Sequence, residues 1–170
     1  MKMIIGLVGR SRVGKDTAAE FLSGTHKVLR LSQPVKDACK VLYEWSDAEV
    51  EGPAKERINE KHGITPRFAM VHLTQSIRTF MDAEFFTRRL FDSWDGLTPI
   101  VIPDVRYEHD IRAIRQKGGV TIKITRASGP RHDFEFGIDS LEADYEISND
   151  GTVEEFKSKI MNITSGNGTA

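Results

Sequence analysis

One short segment, residues 9–17 with the sequence Gly-Arg-Ser-Arg-Val-Gly-Lys-Asp-Thr, restricts the possible folds more than any other part of the chain. It follows a continuous apolar run at residues 3–8, which is typical of a strand buried on both faces. It precedes a segment of good helix formers that begins at Asp16 and ends at Gly24. The order of strand, glycine loop and helix therefore predicts the opening unit of a parallel βαβ fold.

The residue types in this loop indicate phosphate binding. Gly9 and Gly14 allow the loop to curl, so that successive backbone N–H groups and the start of the following helix face an anion. Lys15 can then reach the β- and γ-phosphates of ATP, which gives it a catalytic role. The segment departs from the full Walker A pattern, because Asp16 is inserted before the hydroxyl of Thr17. The alternative is a glycine turn that only joins a strand to a helix.

ATP is expected to bind together with Mg²⁺, and two side chains of the loop offer oxygen ligands. Thr17 would coordinate Mg²⁺ directly, and Asp16 would hold it through a water molecule, which adds Asp16 to the expected catalytic residues. The expected ATP-binding residues of this segment are Gly9, Arg12, Val13, Gly14, Lys15, Asp16 and Thr17.

Strand and helix patterns alternate through the rest of the chain. Further strands are predicted at residues 28–31, 99–104, 120–125 and 145–148, and helices at residues 34–45, 66–80, 82–94, 106–117 and 152–163. Residues 46–65 show no steady period and are predicted to be a mobile, solvent-facing insertion. The pattern predicts an α/β protein with a three-layer P-loop nucleoside-triphosphate-hydrolase/kinase fold, in which helices cover both faces of a parallel sheet of about five strands.

Length and composition exclude several other classes of protein. The 170 residues fit one domain, and 24 basic against 25 acidic residues give a formal charge of −1, which argues against binding to a nucleic-acid polymer. Cys39 is the only cysteine, so no intramolecular disulfide and no multi-cysteine zinc site can form. No apolar stretch approaches the length of a membrane span, so we expect a cytoplasmic protein without a membrane partner.

Asp104 ends the apolar strand predicted at residues 99–104, at the edge where ligands bind to parallel sheets. Its carboxylate would bind Mg²⁺ or its waters and orient an acceptor phosphate, so we expect Asp104 to be both catalytic and a metal ligand. The alternative is an ordinary helix N-cap. Arg106 lies at the same edge, where its planar guanidinium could pair with the acceptor phosphate in two places, so we expect it to be catalytic and substrate-binding.

Five segments of the chain carry a resemblance to a known family. They are the Gly-Lys-Asp-Thr form of the loop and residues 32–38, 101–109, 119–126 and 147–156. These segments span most of the chain and are similar to the P-loop deoxynucleoside monophosphate kinases of bacteriophages. Two departures concern the choice of nucleobase, because Phe134 replaces a small hydroxyl residue after His132 and the middle segment is shorter than in longer members.

The resemblance implies an enzyme that uses ATP and Mg²⁺ to phosphorylate a deoxynucleoside 5′-monophosphate to the diphosphate, supplying DNA precursors. It implies one P-loop kinase domain over residues 1–170, with a substrate-binding helical region at about 34–95 and a lid loop at about 126–141. The partners would be small-molecule nucleotides, and a homodimer stays open. The location would be the host cytoplasm if a phage encodes the chain.

The lid and the turn after the last strand supply further expected contacts with ATP. By resemblance to the family's lid, Arg126 would lie flat on the adenine, and Arg131 would approach the transferring phosphates as a catalytic residue. The turn that contains Asn149 and Gly151 would line the adenine pocket with its backbone. For the two arginines, ordinary exposure to solvent is the alternative.

Four residues of the helical region are expected to bind the acceptor. Lys36 and Arg67 lie at the starts of predicted helices, where their charge and the helix dipole both favour an anion. A solvated surface charge is the alternative for each of them. Gln75 and Arg78 lie three residues apart on one helix face and could contact a base or its phosphate.

Two other functions stay open from the sequence. One is a kinase for another small phosphorylated acceptor, of the phosphomevalonate or dephospho-coenzyme A type. The other is a non-catalytic ATP-binding switch protein, although the chain has no Asn-Lys-x-Asp motif for reading guanine. The Asp-x-Arg segment and the lid arginines favour an enzyme with a second, phosphorylated substrate.

Overall fold

The computed structural model describes residues 2–127 and 137–165 of the chain. These residues form two compact units, one from the residues up to Leu31 together with those from Thr87 onward, and the other from residues 32–86. The helices are α1 (Lys15–Leu22), α2 (Gln33–Tyr43), α3 (Asp47–Val50), α4 (Pro66–Phe80), α5 (Phe85–Ser93), α6 (Glu108–Gln116) and α7 (Val153–Thr164), with short 3-10 helices at Gly52–Glu56 and Ile138–Ser140. Within the described residues, no helix has the length and apolar character needed to cross a membrane.

The first unit is built on a sheet of five strands. The strands are β1 (Ile4–Val8), β2 (Lys27–Val28), β3 (Ile100–Val105), β4 (Val120–Thr125) and β5 (Tyr145–Ser148). Their order is β2-β3-β1-β4-β5, and every neighbouring pair is parallel. Val8 at the end of β1 pairs with Val105 of β3 and Lys123 of β4, so these strands end at one edge of the sheet. The predicted parallel sheet of about five strands is confirmed.

Helices cover both faces of this sheet, because successive side chains of a strand point to opposite faces. On one face, Ile5 and Leu7 of β1 belong to a buried apolar cluster with residues of α1 and α7. On the other face, Gly6 lies against α6, since a Cβ at Gly6 would come within 2.6 Å of Ile114 Cδ1. The α/β class and the three-layer arrangement predicted from the sequence are therefore confirmed.

The second unit is helical and contains α2, α3, the first 3-10 helix and α4. Most of residues 46–65 are exposed, as predicted, but the segment includes two of these helices and the buried side chain of Val50, so it is more regular than the sequence pattern indicated. The ordering is local, because Ser46 and Glu49 form a capping box in which Glu49 Oε2 accepts from the Ser46 N–H at 2.8 Å. A helix of one turn shows no apolar period, which explains why the sequence pattern missed it.

Threonine caps begin two of the predicted helices. Thr65 Oγ1 accepts a hydrogen bond of 3.1 Å from the Phe68 N–H at the start of α4. At the start of α7, Thr152 and Glu155 cap each other through hydrogen bonds of 3.2 and 2.8 Å. Both caps agree with the Thr-Pro and Thr-x-x-Glu patterns of the sequence, since such side chains satisfy the unpaired N–H groups of a first turn.

Candidate active site

The loop between β1 and α1 has a backbone shape that requires its two glycines. Gly9 and Gly14 have φ angles of 148° and 110°, which side chains rarely adopt. A Cβ at Gly14 would lie 2.5 Å from Asn149 Nδ2, and a Cβ at Gly9 would collide with the carbonyl oxygen of Ile124. Arg12 has a φ of 63°, a left-handed conformation that costs a non-glycine residue about 1 to 2 kcal/mol. Such strain in a loop is common where a protein binds a ligand.

Lys15 is the first residue of α1, and its side chain folds back over this loop. Lys15 Nζ donates a hydrogen bond of 2.6 Å to the carbonyl oxygen of Gly9 and another to that of Arg10. Only 8% of the residue is exposed. The ammonium group is thus held against the first two residues of the loop, where a phosphate bound by the loop N–H groups would need a positive charge.

The turn after β5 contacts the same loop. Asn149 Nδ2 donates a hydrogen bond of 2.8 Å to the carbonyl oxygen of Val13. Asp150 connects this turn to the end of β4, because its carboxylate accepts from the Ala127 N–H at 2.8 Å. The hydroxyl of Ser148 and the Ala127 N–H lower the pKa of Asp150, so the carboxylate stays ionised there. The structure therefore brings the predicted Asn149 turn beside the phosphate loop.

The remaining residues expected to contact ATP lie near this turn or outside the described residues. Gly151 lies against the capping carboxylate of α7, because a Cβ at Gly151 would collide with Glu155 Oε2. Arg126 is exposed just beyond β4. Arg131 and residues 128–136 of the expected lid lie outside the described residues.

Asp104 and Arg106 lie where β3 ends, next to the end of β1. Asp104 Oδ1 accepts a hydrogen bond of 2.9 Å from the Leu31 N–H, which fixes the chain that follows β2. The N-cap alternative for Asp104 is wrong, because α6 begins only at Glu108. The pairing of Val8 with Val105 puts the Asp104 and Arg106 backbones beside the first residue of the phosphate loop.

A second carboxylate, which the sequence analysis missed, organises the turn after Arg106. Asp110 is fully buried, and its Oδ2 lies 3.4 Å from the Arg106 N–H and 3.3 Å from the Tyr107 N–H. Thr87 of α5 is also fully buried and donates a hydrogen bond of 2.5 Å to Asp110 Oδ1. An aspartate near the start of a predicted helix was the signal that could have indicated this cap.

The two expected Mg²⁺-linked residues of the loop both lie on the exposed side of the first turn of α1. Asp16 Oδ1 forms an ion pair of 2.8 Å with Arg30 Nη2, a residue that the sequence analysis missed. Thr17 is exposed to solvent. Over the described parts of the chain, no group of three or more His, Cys, Asp or Glu residues is suited to hold a metal ion.

Arg10 of the loop also has a long-range partner that the sequence did not indicate. Its guanidinium pairs with the Asp139 carboxylate at two places, one of which is a hydrogen bond of 2.7 Å from Nε to Oδ1. Lys123 Nζ donates to the carbonyl oxygen of Asp139 at 2.6 Å. Ile138 beside it is buried. The last part of the expected lid segment is therefore attached to the phosphate loop and to β4.

Apart from Arg106, the expected acceptor-binding residues lie in the second unit, or helical unit. Lys36 is buried and pairs with Glu51 at 2.5 Å, so the alternative of a solvated surface charge is wrong for Lys36. Arg67 pairs with Glu56 at 2.5 Å. Gln75 is exposed on α4.

Arg78, near the end of α4, contacts the residues that follow this helix. Its Nη1 donates a hydrogen bond of 2.5 Å to the carbonyl oxygen of Ala83, and its guanidinium lies 5.3 Å from the centre of the Phe86 ring. Gln75 and Arg78 both lie on α4, and their contact with a base or its phosphate stays a prediction.

Solved structures share this fold. A dephospho-CoA kinase from Campylobacter jejuni aligns over 99% of this chain and 99% of its own, with a TM-score of 0.52 and 12% identity. A Thermus thermophilus protein aligns over 99% of each chain, with a TM-score of 0.50 and 17% identity. These likenesses concern the fold alone, and they confirm the kinase fold predicted from the loop and the alternation of strands and helices.

Sequence comparisons identify the family. The family model described as deoxynucleotide monophosphate kinase matches residues 70–160. The deoxynucleotide monophosphate kinase of Enterobacteria phage T4 is 37% identical over 239 aligned positions, which cover 95% of this chain and 98% of the relative. A protein of Acanthamoeba polyphaga mimivirus, provisionally named deoxynucleotide monophosphate kinase, is 31% identical over 94% of each chain. Through these matches, which extend well beyond the phosphate loop, the chain belongs to the deoxynucleotide monophosphate kinase family.

Proposed function

We propose that this protein transfers the γ-phosphate of ATP to a deoxynucleoside 5′-monophosphate and produces the diphosphate. The family and the fold support an enzyme that phosphorylates nucleotides. The observation that carries the proposal is the hydrogen bond of 2.6 Å from Lys15 Nζ to the Gly9 carbonyl oxygen. It holds a buried cation over a strained glycine loop at the end of the central strand, where the fold family binds phosphates.

ATP would lie with its phosphates against the N–H groups of residues 9–17 and the start of α1. Lys15 would exchange its carbonyl partners for oxygens of the β- and γ-phosphates, and its charge would stabilise the charge that grows in the transition state. The turn of Asn149 and Gly151, which lies beside the loop, is proposed to line the adenine pocket. Arg126 is proposed to stack on the base.

Mg²⁺ fits the oxygen donors at this edge of the sheet. Thr17 is exposed on the first turn of α1, and Asp104 lies near the end of β3, whose backbone is paired with the end of β1. Mg²⁺ is commonly held by one or two such groups together with substrate phosphates and water. When bound, it would neutralise phosphate charge and orient the γ-phosphate. Thr17 and Asp104 are the proposed ligands, and Asp16 would act through water.

The acceptor would be positioned by cations, since this reaction needs orientation and charge neutralisation and no covalent intermediate. Arg106 is proposed to pair with the acceptor phosphate in two places, and Arg131 to approach the transferring phosphates. Lys36, Arg67, Gln75 and Arg78 are the proposed contacts of the helical unit. The proposed setting is the host cytoplasm, with nucleotides as the only partners and a homodimer still a prediction.

A panel of acceptors tests this function. The purified protein is incubated with ATP, Mg²⁺ and one acceptor at a time, and ADP release is followed by a coupled assay. The acceptors are the four common deoxynucleoside monophosphates, the ribonucleotides, dephospho-coenzyme A and phosphomevalonate. We expect release with at least one deoxynucleoside monophosphate and slow hydrolysis without an acceptor. Release with dephospho-coenzyme A or phosphomevalonate alone would overturn the proposal in favour of the other acceptor class.

A further inference from the structure

Two ion pairs in the helical unit come from three different elements. Lys36, near the start of α2, pairs with Glu51 at 2.5 Å. Arg67, in the first turn of α4, pairs with Glu56 at 2.5 Å. The two glutamates flank the 3-10 helix Gly52–Glu56, one just before it and one at its end. Each glutamate therefore holds one of the two cations in a defined position.

Lys55 lies in this 3-10 helix, between Glu51 and Glu56 along the chain. Its side chain is partly buried, and its ammonium interacts electrostatically with Arg67, Lys36, Glu51 and Glu56. Burial lowers the pKa of Lys55, and the positive charges of Arg67 and Lys36 lower it further, whereas the two glutamates act in the opposite direction. Within residues 2–127 and 137–165, no carboxylate forms an ion pair with Lys55.

The group therefore has three positive and two negative side chains, so one positive charge is in excess. Among the described residues, Lys55 is the cation of this group that has no ion-paired carboxylate. A partly buried positive charge next to two others is unfavourable unless an anion lies close by. A phosphate monoester carries about −1.5 to −2 charges at neutral pH, which would more than compensate for this excess. An arginine fork and two lysines are suited to its oxygens.

We propose that Lys55 is a further direct ligand of the acceptor's 5′-phosphate, which the sequence analysis missed, and that it acts together with Lys36 and Arg67. The ion pairs with Glu51 and Glu56 hold the other two cations in place before the substrate arrives, which reduces the ordering that binding requires. This inference rests on the proposed function for the identity of the anion. Competing outcomes are a site for ATP phosphates and a purely structural group of charges.

The kinetic test compares Lys55→Met with Lys61→Met. Both changes keep the aliphatic stem and remove one charge, and Lys61 is an exposed residue of the same unit that pairs with Glu44. We expect Lys55→Met to raise the KM for the monophosphate about tenfold or more, the scale of one lost hydrogen bond to a charged group, without change in the KM for ATP. Lys61→Met should change neither constant, and Lys55→Arg should restore most of the affinity.

A rise in the KM for ATP, or no change in either constant, would overturn the assignment of Lys55 and leave the proposed function intact. A second measurement does not depend on turnover or on a variant that folds. The unaltered protein is treated briefly with an amine-reactive acylating reagent, and the modification of Lys55 is followed by peptide mass spectrometry.

We expect deoxynucleoside monophosphate and deoxyribose 5-phosphate to protect Lys55 severalfold, whereas the nucleoside without phosphate should not protect it. Protection by ATP alone would show that the group serves the donor, and equal modification in all samples would show that it is structural. Because protection needs binding only, this result stays informative even if the acceptor panel detects no transfer.

Discussion

The hydroxyl of Thr87 donates a hydrogen bond of 2.5 Å to the carboxylate of Asp110, and neither residue has any exposed surface. The other oxygen of Asp110 faces the backbone N–H groups of Arg106 and Tyr107. One buried carboxylate thus connects α5 to the turn that carries Arg106. Because a polar group in the interior needs hydrogen-bond partners, each donor contributes to the stability of this turn.

Replacing Thr87 by Val should remove the donor and keep the shape of the side chain. We expect the free energy of unfolding to fall by about 1 to 3 kcal/mol, because a buried carboxylate loses a partner. We also expect a higher KM for the monophosphate, since the Arg106 turn loses its support. Denaturant unfolding and steady-state kinetics measure the two effects. Thr87→Ser, which keeps the hydroxyl, should recover most of both, and equal loss in the two variants would contradict this role.

Gly14 should not tolerate even a methyl group. Its φ of 110° and the 2.5 Å approach of a Cβ to Asn149 Nδ2 both oppose Gly14→Ala. We expect a loss of stability of about 1 to 3 kcal/mol and weaker ATP binding, because the loop and the Asn149 turn must move apart. Gly24→Ala is the matched control, since a Cβ there meets nothing within 4 Å. Similar ATP affinities in both variants would show that the loop shape does not matter for binding.

Arg106→Lys keeps the charge but loses the planar fork that matches two phosphate oxygens. We expect the monophosphate to bind more weakly by about 1 to 3 kcal/mol, with little change in the KM for ATP. Arg112→Lys, at an exposed position of α6, serves as the control. If the KM for ATP rises instead, Arg106 serves the donor nucleotide.

Asp144 should make stability depend on pH in the acid range. Burial alone would raise the pKa of Asp144, but hydrogen bonds from the Thr121 side chain and N–H and the charge of Arg115 lower it below its ordinary value. The group therefore stabilises the folded state above the ordinary aspartate pKa of about 3.9, and this stabilisation is lost as the pH falls through the lower folded value.

The variant Asp144→Asn tests this sign. We expect the wild-type protein to be more stable by a constant amount above about pH 5, and the difference to shrink as the pH falls below about 4. Denaturant unfolding of both proteins across this range measures the difference. A gap that does not change with pH would mean that the ionised form of Asp144 is not the stabilising species.

The parts of the fold that could be predicted are those whose signals are local in the sequence. The apolar run of β1, the glycines of the loop and Lys15 all lie within residues 4–15, and their spacing alone indicates their geometry. The caps at Thr65 and Thr152 are equally local, because each side chain bonds to a residue three positions ahead.

The contacts that were missed join distant segments. Arg10 and Asp139 are 129 positions apart, and Thr87 and Asp110 are 23 positions apart, so neither pair leaves a pattern in the sequence. Lys55 was missed for a related reason, because its neighbours come from α2, the 3-10 helix and α4. The net charge around a site depends on residues that are distant in the sequence and that only the fold brings together. The residues of a loop motif, by contrast, are consecutive and can be recognised from the sequence alone.

The most direct test of the proposed transfer follows the phosphate itself. ATP labelled in the γ-phosphate is mixed with excess enzyme, Mg²⁺ and the preferred deoxynucleoside monophosphate, and the products of a single turnover are separated. We expect the label to appear in the deoxynucleoside diphosphate with the unaltered protein. We expect Lys15→Ala to abolish this product without unfolding the protein, as checked by thermal melting. Label found only in inorganic phosphate, or near-normal transfer by a folded Lys15→Ala protein, would contradict the proposed transfer.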